Sequence, residues 1–178
     1  MVFLLIFCDL RMIDYIFIFR NLPPELATIL IAMIPIAELR VSLPIALTVY
    51  DFSFLEAYVL AVIGNLIPVF FIAWLIGPVS DWLMKHFRLA QVFFEWLFDR
   101  TRKKMTHKYQ RYGLWALAVF VAIPLPMTGA WTGALAGWLF GIPPIKIVRY
   151  VALGVLIAGI IVGVLTLSAQ DLYTKLII

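Results

Sequence analysis

Charge is scarce in this sequence. Asp, Glu, Lys and Arg together supply 13% of its 178 residues, about half the share in typical soluble domains. Cysteine is scarcer still, and the single Cys8 excludes both an internal disulfide framework and a multi-cysteine metal site. The two histidines, His86 and His107, have no sequence neighbours that would suggest a metal site. The sequence therefore predicts no metal and no other cofactor.

The short motifs of common enzymes are also missing. No nucleophile elbow, no HExxH helix and no phosphate-binding loop occurs in the sequence, so we expect the protein not to be an enzyme. It is basic overall, with a formal net charge of +4, but it carries no nucleic-acid recognition motif. The sequence therefore predicts no nucleic-acid partner.

Apolar residues take the place of charge. They make up 65% of the chain, and the mean hydropathy is +1.05. A soluble domain of this length still leaves much of its surface in water, so it could not bury this much apolar area. The sequence therefore predicts an all-α integral membrane protein with a single membrane domain.

Two segments are apolar enough to cross a membrane without interruption. They cover residues 54–78 and about 147–169, and a span requires roughly 20 such residues. We expect each of them to be a transmembrane helix.

Two further apolar regions, residues 25–50 and 113–142, are interrupted in the middle. The first contains ELRVS between Pro35 and Pro44, and the second contains PLPMTG. Proline removes a backbone donor and disfavours helix in the preceding residue. We therefore expect two half-length helices around a non-helical tip in each region. Each region is then either a re-entrant hairpin or a kinked span, and the pattern alone does not choose between them.

The two halves of the chain follow the same order of elements. Ile34-Pro35 and Ile123-Pro124 each end a first half-helix, 89 positions apart, and a clean span follows each interrupted region. Internal repeats with discontinuous helices that meet near the membrane midplane are common in transporters. Residues 25–78 are the predicted first repeat and residues 113–169 the second.

Residues 79–112 carry most of the positive charge. Eight of the 14 lysines and arginines lie there, which predicts a cytoplasmic segment. Apolar residues recur from Leu83 to Leu97 at alternating spacings of four and three, opposite a charged stripe, which indicates an amphipathic helix on the inner leaflet. We expect its basic end to bind anionic lipid headgroups. Residues 1–24 are interpreted as an interfacial or weakly spanning segment, and residues 170–178 as a tail.

Glu38 and Arg40 are two opposite charges inside apolar sequence. A charge at the centre of a spanning helix costs about 2.5–3.5 kcal/mol, so we expect the two side chains to pair with each other or to face protein or water. One interpretation is an ion pair that locks the tip. The interpretation we favour is a protonatable Glu38 beside Arg40 that holds an anion or a substrate headgroup.

The second tip supplies further candidate binding residues. Pro124 and Pro126 free backbone carbonyl groups that can coordinate a cation, and Thr128 offers a hydroxyl. Gly129 begins a series of glycines at every fourth position, which predicts a helix-packing face more strongly than a site. Trp131 either lines the site or anchors the helix.

Asn65 is an uncharged polar residue in the middle of the first clean span. It can bond backbone groups freed by Pro68, or it can line a path for substrate. The structural role is favoured, and Asn65 stays among the candidate site residues.

Four segments carry a resemblance to a known family. Together, and in the order in which they occur, these segments resemble the small multi-drug export protein family of prokaryotic membrane proteins, and the match covers about residues 25–168. Glu38, Arg40 and Pro44 match the family's first motif, and a further five residues match its second, Pro124, Pro126, Thr128, Gly129 and Trp131. The segments are IPIAELRVSLPIAL (34–47), VIGNLIPV (62–69), AIPLPMTGAWTGALAGWLFG (122–141) and GVLIAGIIVGV (154–164).

The resemblance implies a relation to the DedA group of membrane proteins. For that group a fold with two facing re-entrant hairpins, each followed by a spanning helix, has been proposed. The resemblance therefore favours hairpins over kinked spans and implies an inverted repeat with a cytoplasmic amphipathic helix between the halves. DedA-like relatives are associated with moving lipids or polyprenyl-phosphate carriers and with dependence on ion gradients. The implied location is the cell membrane of a prokaryote.

Three functions follow as hypotheses. The favoured one is a small secondary transporter or exporter of a small molecule, coupled to H⁺ or Na⁺, with its site at the facing tips. The second is a lipid or polyprenyl-phosphate flippase or scramblase in which Arg40 meets phosphate. The third is a non-transporting membrane scaffold with a sealed ion pair. A monomer with so few spans encloses little volume, so a homodimer is also considered.

Overall fold

The computed structural model describes residues 15–102, 107–124 and 129–177. Over these ranges the chain forms helices and no strand, which confirms the all-α prediction. The helices are α1 (Pro24–Met33), α2 (Glu38–Thr48), α3 (Phe54–His86), α4 (Arg88–Arg102), α5 (His107–Ala122), α6 (Ala130–Leu139) and α7 (Pro144–Ile177).

Two helices, α3 and α7, are long and apolar enough to cross a membrane. They contain 33 and 34 residues, and at 1.5 Å per residue each is about 50 Å long, which exceeds a hydrocarbon core of about 30 Å. Both extend beyond the predicted spans, and Pro78 lies inside α3 rather than at its end. Large apolar side chains remain exposed along both helices, an arrangement suited to lipid. On α7 they include Leu153, Leu156, Ile157, Ile160, Val164 and Leu165.

The first interrupted region forms two short helices, α1 and α2, that pack against each other. The turn between them covers residues 34–37, and Ile34 is extended, with φ −73° and ψ 130°, as expected for a residue before proline. The prediction that ELRVS forms a non-helical tip is wrong, because Pro35 places the break earlier and ELRVS begins α2.

Pro44 was expected to interrupt a helix, and this prediction is also wrong. Pro44 lies inside α2. The lost hydrogen bond is compensated by packing, since seven of the 11 residues of α2 are buried, and packing supplies most of the stability of a short helix.

The second interrupted region also forms two helices, α5 and α6, that pack against each other. The break between Ala122 and Ala130 agrees with the predicted PLPMTG interruption. Residues 125–128 lie outside the described residues. The helices do not stop at the proposed segment boundaries, because α3 continues to His86 and α5 begins at His107.

Residues before α1 contact the first pair of short helices. A short helical segment covers residues 15–19, and Tyr15, Ile16 and Phe19 pack against a buried cluster formed by α1, α2 and the turn between them. Residues 1–14 of the predicted N-terminal segment lie outside the described residues. The cluster consists of Ile31, Ala37 and Ile45.

The chain divides into two compact units. The first unit comprises the residues up to Asn65 together with those from Leu156 onward, and the second comprises Leu66–Val155. Each unit therefore contains one pair of short helices and one part of each long helix.

In the first unit, α3 contacts α1 through a glycine. A Cβ atom on Gly64 would overlap the carbonyl oxygen of Ile29 and would lie 2.8 Å from the Cβ of Ala32. Backbones approach this closely only where a side chain is missing or very small. Gly64 is therefore the residue that lets the long helix lie directly on the short one.

In the second unit, α7 contacts α5 in the same way. A Cβ atom on Gly154 would lie 2.6 Å from the carbonyl oxygen of Ala118 and 2.6 Å from the Cβ of Val121. No side chain could be added here without a shift of backbone atoms.

The two glycine contacts share one register. Each glycine is the eleventh residue of its long helix. The contacted carbonyl group belongs to Ile29 in α1 and to Ala118 in α5, each four positions before the last residue of its helix. The contacted side chain belongs to Ala32 and to Val121, each one position before that last residue. The order of elements noticed in the sequence is thus accompanied by matching contacts at matching positions.

Candidate functional site

Glu38 and Arg40 form an ion pair at the start of α2. The Arg40 Nη2 atom lies 3.8 Å from the Glu38 Oε2 atom. Glu38 is only 5% exposed, whereas the Arg40 side chain is 22% exposed. The carboxylate is thus held inside the first unit, and the guanidinium lies nearer to its surface.

The backbone of Glu38 adopts a rare conformation. Its φ angle is +48°, in the left-handed region that costs a non-glycine residue roughly 1–2 kcal/mol. Its amide N–H donates a 2.9 Å hydrogen bond to the carbonyl oxygen of Ile34, which closes the turn. Unfavourable backbone conformations are concentrated at ligand-binding and switch positions, so the conformation of Glu38 supports a functional interpretation.

Ser42 is a buried hydroxyl four residues after Glu38. This spacing places the two side chains on one face of α2. Ser42 is 0% exposed, and its Oγ atom has no hydrogen-bond partner among the described residues. An unsatisfied buried polar group costs about 1–3 kcal/mol, so its retention requires a reason.

Other hydroxyls in the helices behave differently. Each of six donates to a backbone carbonyl three or four residues earlier in the chain, which is the usual way for a helical hydroxyl to be satisfied. Ser42 does not make this bond, although it is fully buried. The six are Thr28, Thr48, Ser80, Thr132, Thr166 and Thr174.

Asn65 is the second buried polar residue of the first unit without a complete set of partners. It follows Gly64 on α3 and is 3% exposed. Its Oδ1 atom has no hydrogen-bond partner among the described residues. If Asn65 bonds the backbone carbonyl groups freed by Pro68, as predicted, only the N–H donors of its amide are satisfied. Its Oδ1 atom remains an acceptor without a donor among the described residues.

Ser42 is the residue that the sequence interpretation missed as a site residue. A signal was present, because Ser42 lies at the i+4 position from Glu38 inside ELRVS. That signal was hidden by the expectation that ELRVS is not helical. A helical ELRVS brings residues 38 and 42 onto one face.

The candidates of the second tip lie in the second unit. Pro124 follows α5, and Gly129 is the N-cap of α6, with φ −100°. Trp131, in the first turn of α6, is half-buried. Pro126 and Thr128 lie outside the described residues. The structure therefore places Glu38, Arg40 and Asn65 in one unit, while the expectation that the two tips face each other stays a prediction.

The glycine series of α6 is largely a packing face. A Cβ atom on Gly133 would lie 2.5 Å from Val121 Cγ2, and one on Gly137 would lie 2.9 Å from Ile147 Cγ1. Gly141 differs, since it has φ +65° and open space around it, and thus serves the turn after α6. Within the described ranges, no three His, Cys, Asp or Glu side chains come together as a metal site would require.

The comparisons with known proteins agree with the resemblance seen in the sequence. A family model described as "Putative small multi-drug export protein" matches residues 38–161, which include α2 to α6 and the first half of α7. No curated protein and no solved structure matches the chain.

Proposed function

Because the chain belongs to the small multi-drug export protein family, we propose that it is a secondary transporter that exports a small molecule. Its binding site is the polar group of the first unit, formed by Glu38, Arg40, Ser42 and Asn65. The chain is a membrane protein with two helices able to span. The proposed location is the cell membrane of a prokaryote, with the basic residues around α4 in the cytoplasm.

The observation that carries the proposal is the burial of polar groups in an otherwise apolar chain. Glu38 is a buried carboxylate, and the oxygens of Ser42 and Asn65 are buried without partners among the described residues. Such groups are expensive at membrane depth and are retained where they bind an ion or a substrate. A carboxylate can also bind a proton in place of the substrate, and this exchange is the simplest means of coupling export to H⁺. The alternative coupling ion is Na⁺.

The proposed architecture is an inverted repeat of two re-entrant hairpins, as in the fold suggested for the DedA group. Three features support it. The paired helices α1 and α2 have 10 and 11 residues, which gives each about 15 Å, half of a hydrocarbon core. Each short pair is followed by a helix long enough to span. The glycine contacts of α3 and α7 occur in the same register.

Efflux from proteoliposomes tests the transport proposal. Vesicles that contain the full chain are loaded with ethidium, and a pH gradient or a Na⁺ gradient is imposed. We expect gradient-dependent efflux that Glu38→Gln reduces to the level of empty vesicles. Glu25→Gln is the matched control, since Glu25 is an exposed carboxylate of the same unit, and it should retain efflux. Equal efflux from wild type and Glu38→Gln, under either gradient, would exclude this mechanism.

A lipid flippase or scramblase is the second candidate, and the partial exposure of Arg40 favours it. An arginine near the surface of its unit can bind a lipid phosphate through paired N–H donors. The test is transbilayer movement of a fluorescent polyprenyl phosphate in the same vesicles, with Arg40→Gln as the variant. Lipid movement that needs Arg40, in vesicles that do not export ethidium, selects the flippase. Neither activity in folded protein selects the scaffold.

A further inference from the structure

We propose that the site of the first unit binds a primary ammonium group, and that Ser42 and Asn65 accept its N–H donors. The inference rests on the site of the proposed function and names the chemical class of its ligand. Two buried oxygens without donors select a ligand that brings donors. A carboxylate on the same face of α2 as Ser42 selects positive charge.

The first argument is that the buried Ser42 hydroxyl has no hydrogen-bond partner among the described residues. Six helical hydroxyls elsewhere in the described chain are satisfied by their own backbone, and Thr28 of α1 is an example that is equally buried. Ser42 does not make such a bond, and its oxygen is buried without a partner among the described residues. We therefore assign it an acceptor role toward a group from outside α2.

The second argument is the contrast between Asn65 and its positional counterpart. Asn65 follows the packing glycine of α3, and Val155 follows the packing glycine of α7. Val155 is 1% exposed, so this position is buried in both units. An apolar residue is sufficient for packing in the second unit. The amide at position 65 thus has a purpose besides packing.

The third argument extends the contrast to α2 and α6. Counted from the first residue of each helix, Glu38 corresponds to Ala130 and Ser42 corresponds to Ala134. Both alanines are buried, Ala134 completely. Each buried polar residue of the proposed site therefore has an apolar, buried counterpart in the second unit. A ligand site in the first unit alone accounts for all three differences.

The pairing of Glu38 with Arg40 explains how the site remains stable without ligand. The guanidinium neutralises the carboxylate from its partly exposed position. An ammonium group that binds Glu38 replaces this interaction, and Arg40 can turn toward solvent because it lies nearer to the surface of the unit. The ligand and Arg40 thus compete for one carboxylate.

The test compares two ligands that carry the same charge but differ in N–H donors. Binding of radiolabelled benzylammonium and benzyltrimethylammonium to the full chain in nanodiscs is measured at equilibrium and pH 7, with empty nanodiscs subtracted. We expect about tenfold tighter binding of benzylammonium by wild type, the factor that corresponds to about one hydrogen bond. Ser42→Ala and Asn65→Val should reduce this preference to about twofold or less.

The controls separate a loss of ligand contacts from a loss of fold. Asn65→Val and Ser42→Ala introduce the residues found at the counterpart positions of the second unit, so the melting temperature should change little. Thr28→Val removes a buried hydroxyl that is already satisfied, and the ligand preference should remain. Arg40→Gln should tighten benzylammonium binding, since it removes the competing cation.

Several outcomes would overturn the proposal. They are equal binding of the two ligands by wild type, an undiminished preference in Ser42→Ala and Asn65→Val, and an equal loss in Thr28→Val. Displacement of benzylammonium by NaCl, but not by choline chloride, would assign the oxygens to an alkali cation instead. The measurement uses no gradient. Selective binding without gradient-dependent efflux of either radiolabelled benzylammonium or ethidium therefore contradicts the proposed transport and leaves the ligand class standing, and efflux without selective binding does the reverse.

Discussion

In both units a glycine at the eleventh position of a long helix contacts the end of a short helix, but the next residue is Asn65 in one unit and Val155 in the other. The glycines are required by close backbone contact, which is a property of the fold. The residues that follow them are both buried, and burial alone does not require an amide. The comparison therefore separates positions that build the repeat from positions at which we propose that a ligand binds.

The same separation holds at the start of α2 and α6. The first unit places a carboxylate and a guanidinium in the first turn of α2, and the carboxylate residue adopts φ +48°. The second unit begins α6 with Ala130, and the Thr132 hydroxyl is satisfied by the carbonyl of Gly129 at 3.0 Å. The Thr132 hydroxyl at the start of α6 is thus satisfied by its own backbone, whereas the Ser42 hydroxyl of α2 has no partner among the described residues.

The largest expected effect comes from the two packing glycines. Gly64→Ala and Gly154→Ala each force a methyl group against backbone atoms, and overpacking of this kind costs about 1–3 kcal/mol. We expect both variants to lower the melting temperature in detergent by a similar amount. A strong effect of one variant and none of the other would break the equivalence of the two units.

Gly77→Ala is the matched control for the glycine variants. Gly77 lies on α3, as Gly64 does, but an added Cβ atom would meet only the Trp138 Nε1 atom, at 3.8 Å. Alanine is the better helix former by roughly 0.8–1.0 kcal/mol. Gly77→Ala should therefore leave the melting temperature unchanged or raise it.

The next effect in size comes from converting the start of α2 into that of α6. Glu38→Ala alone leaves Arg40 without its carboxylate, and we expect a loss of about 1–2 kcal/mol, less than for a fully buried pair because Arg40 is partly exposed. The double variant Glu38→Ala with Arg40→Thr carries the residues of α6 and should recover most of that stability. Melting temperatures report the stability of each variant. Ethidium efflux should be lost in both variants. Efflux retained by the double variant would assign the pair to structure alone.

The sequence predicted the order of elements better than it predicted the site. Pro35 and PLPMTG mark real breaks, since their effect on the backbone is local. Pro44 marks none, because the burial of α2 outweighs the lost hydrogen bond. Ser42 could not be recognised from its residue type, since a helical serine is normally satisfied by its own backbone. Its lack of a partner depends on the packing around it, which no local pattern contains. Gly64 and Gly154 lie in segments that carry the family resemblance, but their packing role is shown only by their contacts.

A labelling experiment compares the membrane topology of the two interrupted regions. The cysteine substitutions that it needs should not affect stability. With Cys8 replaced by serine, single cysteines are placed at Glu25 and Asp51, the two ends of the first interrupted region, and at Gly113 and Ile142 for the second. A re-entrant hairpin requires that both ends of a region react with a membrane-impermeant reagent from the same side. An inverted repeat further requires that the two regions report opposite sides. Ends on opposite sides of one region would identify a kinked span.

The smallest expected effect concerns α4, the helix that precedes the short pair of the second unit. Phe94 of α4 contacts Trp138 of α6, with ring centroids 6.0 Å apart, so this residue of the predicted apolar stripe is turned toward protein, whereas Phe87 of the same stripe is 53% exposed. A different apolar stripe is exposed, formed by Leu89, Val92, Phe93 and Trp96, with Leu89 88% exposed.

Because the chain is a membrane protein and α4 lies in its most basic segment, we expect the exposed stripe to enter the bilayer interface. An environment-sensitive fluorophore attached to the new thiol of Leu89→Cys, again with Cys8 replaced, should be quenched by lipids brominated in their acyl chains. Gln91→Cys is the control, since Gln91 lies on the opposite face and its Nε2 atom donates a 2.9 Å hydrogen bond to the Glu95 Oε1 atom. That probe should instead respond to iodide in the water. Equal quenching at both positions would show that α4 does not lie with one face in lipid. Leu89→Ser should weaken the quenching of a fluorophore on Val92→Cys without changing the melting temperature, because Leu89 is 88% exposed and we expect its side chain to contact lipid rather than protein.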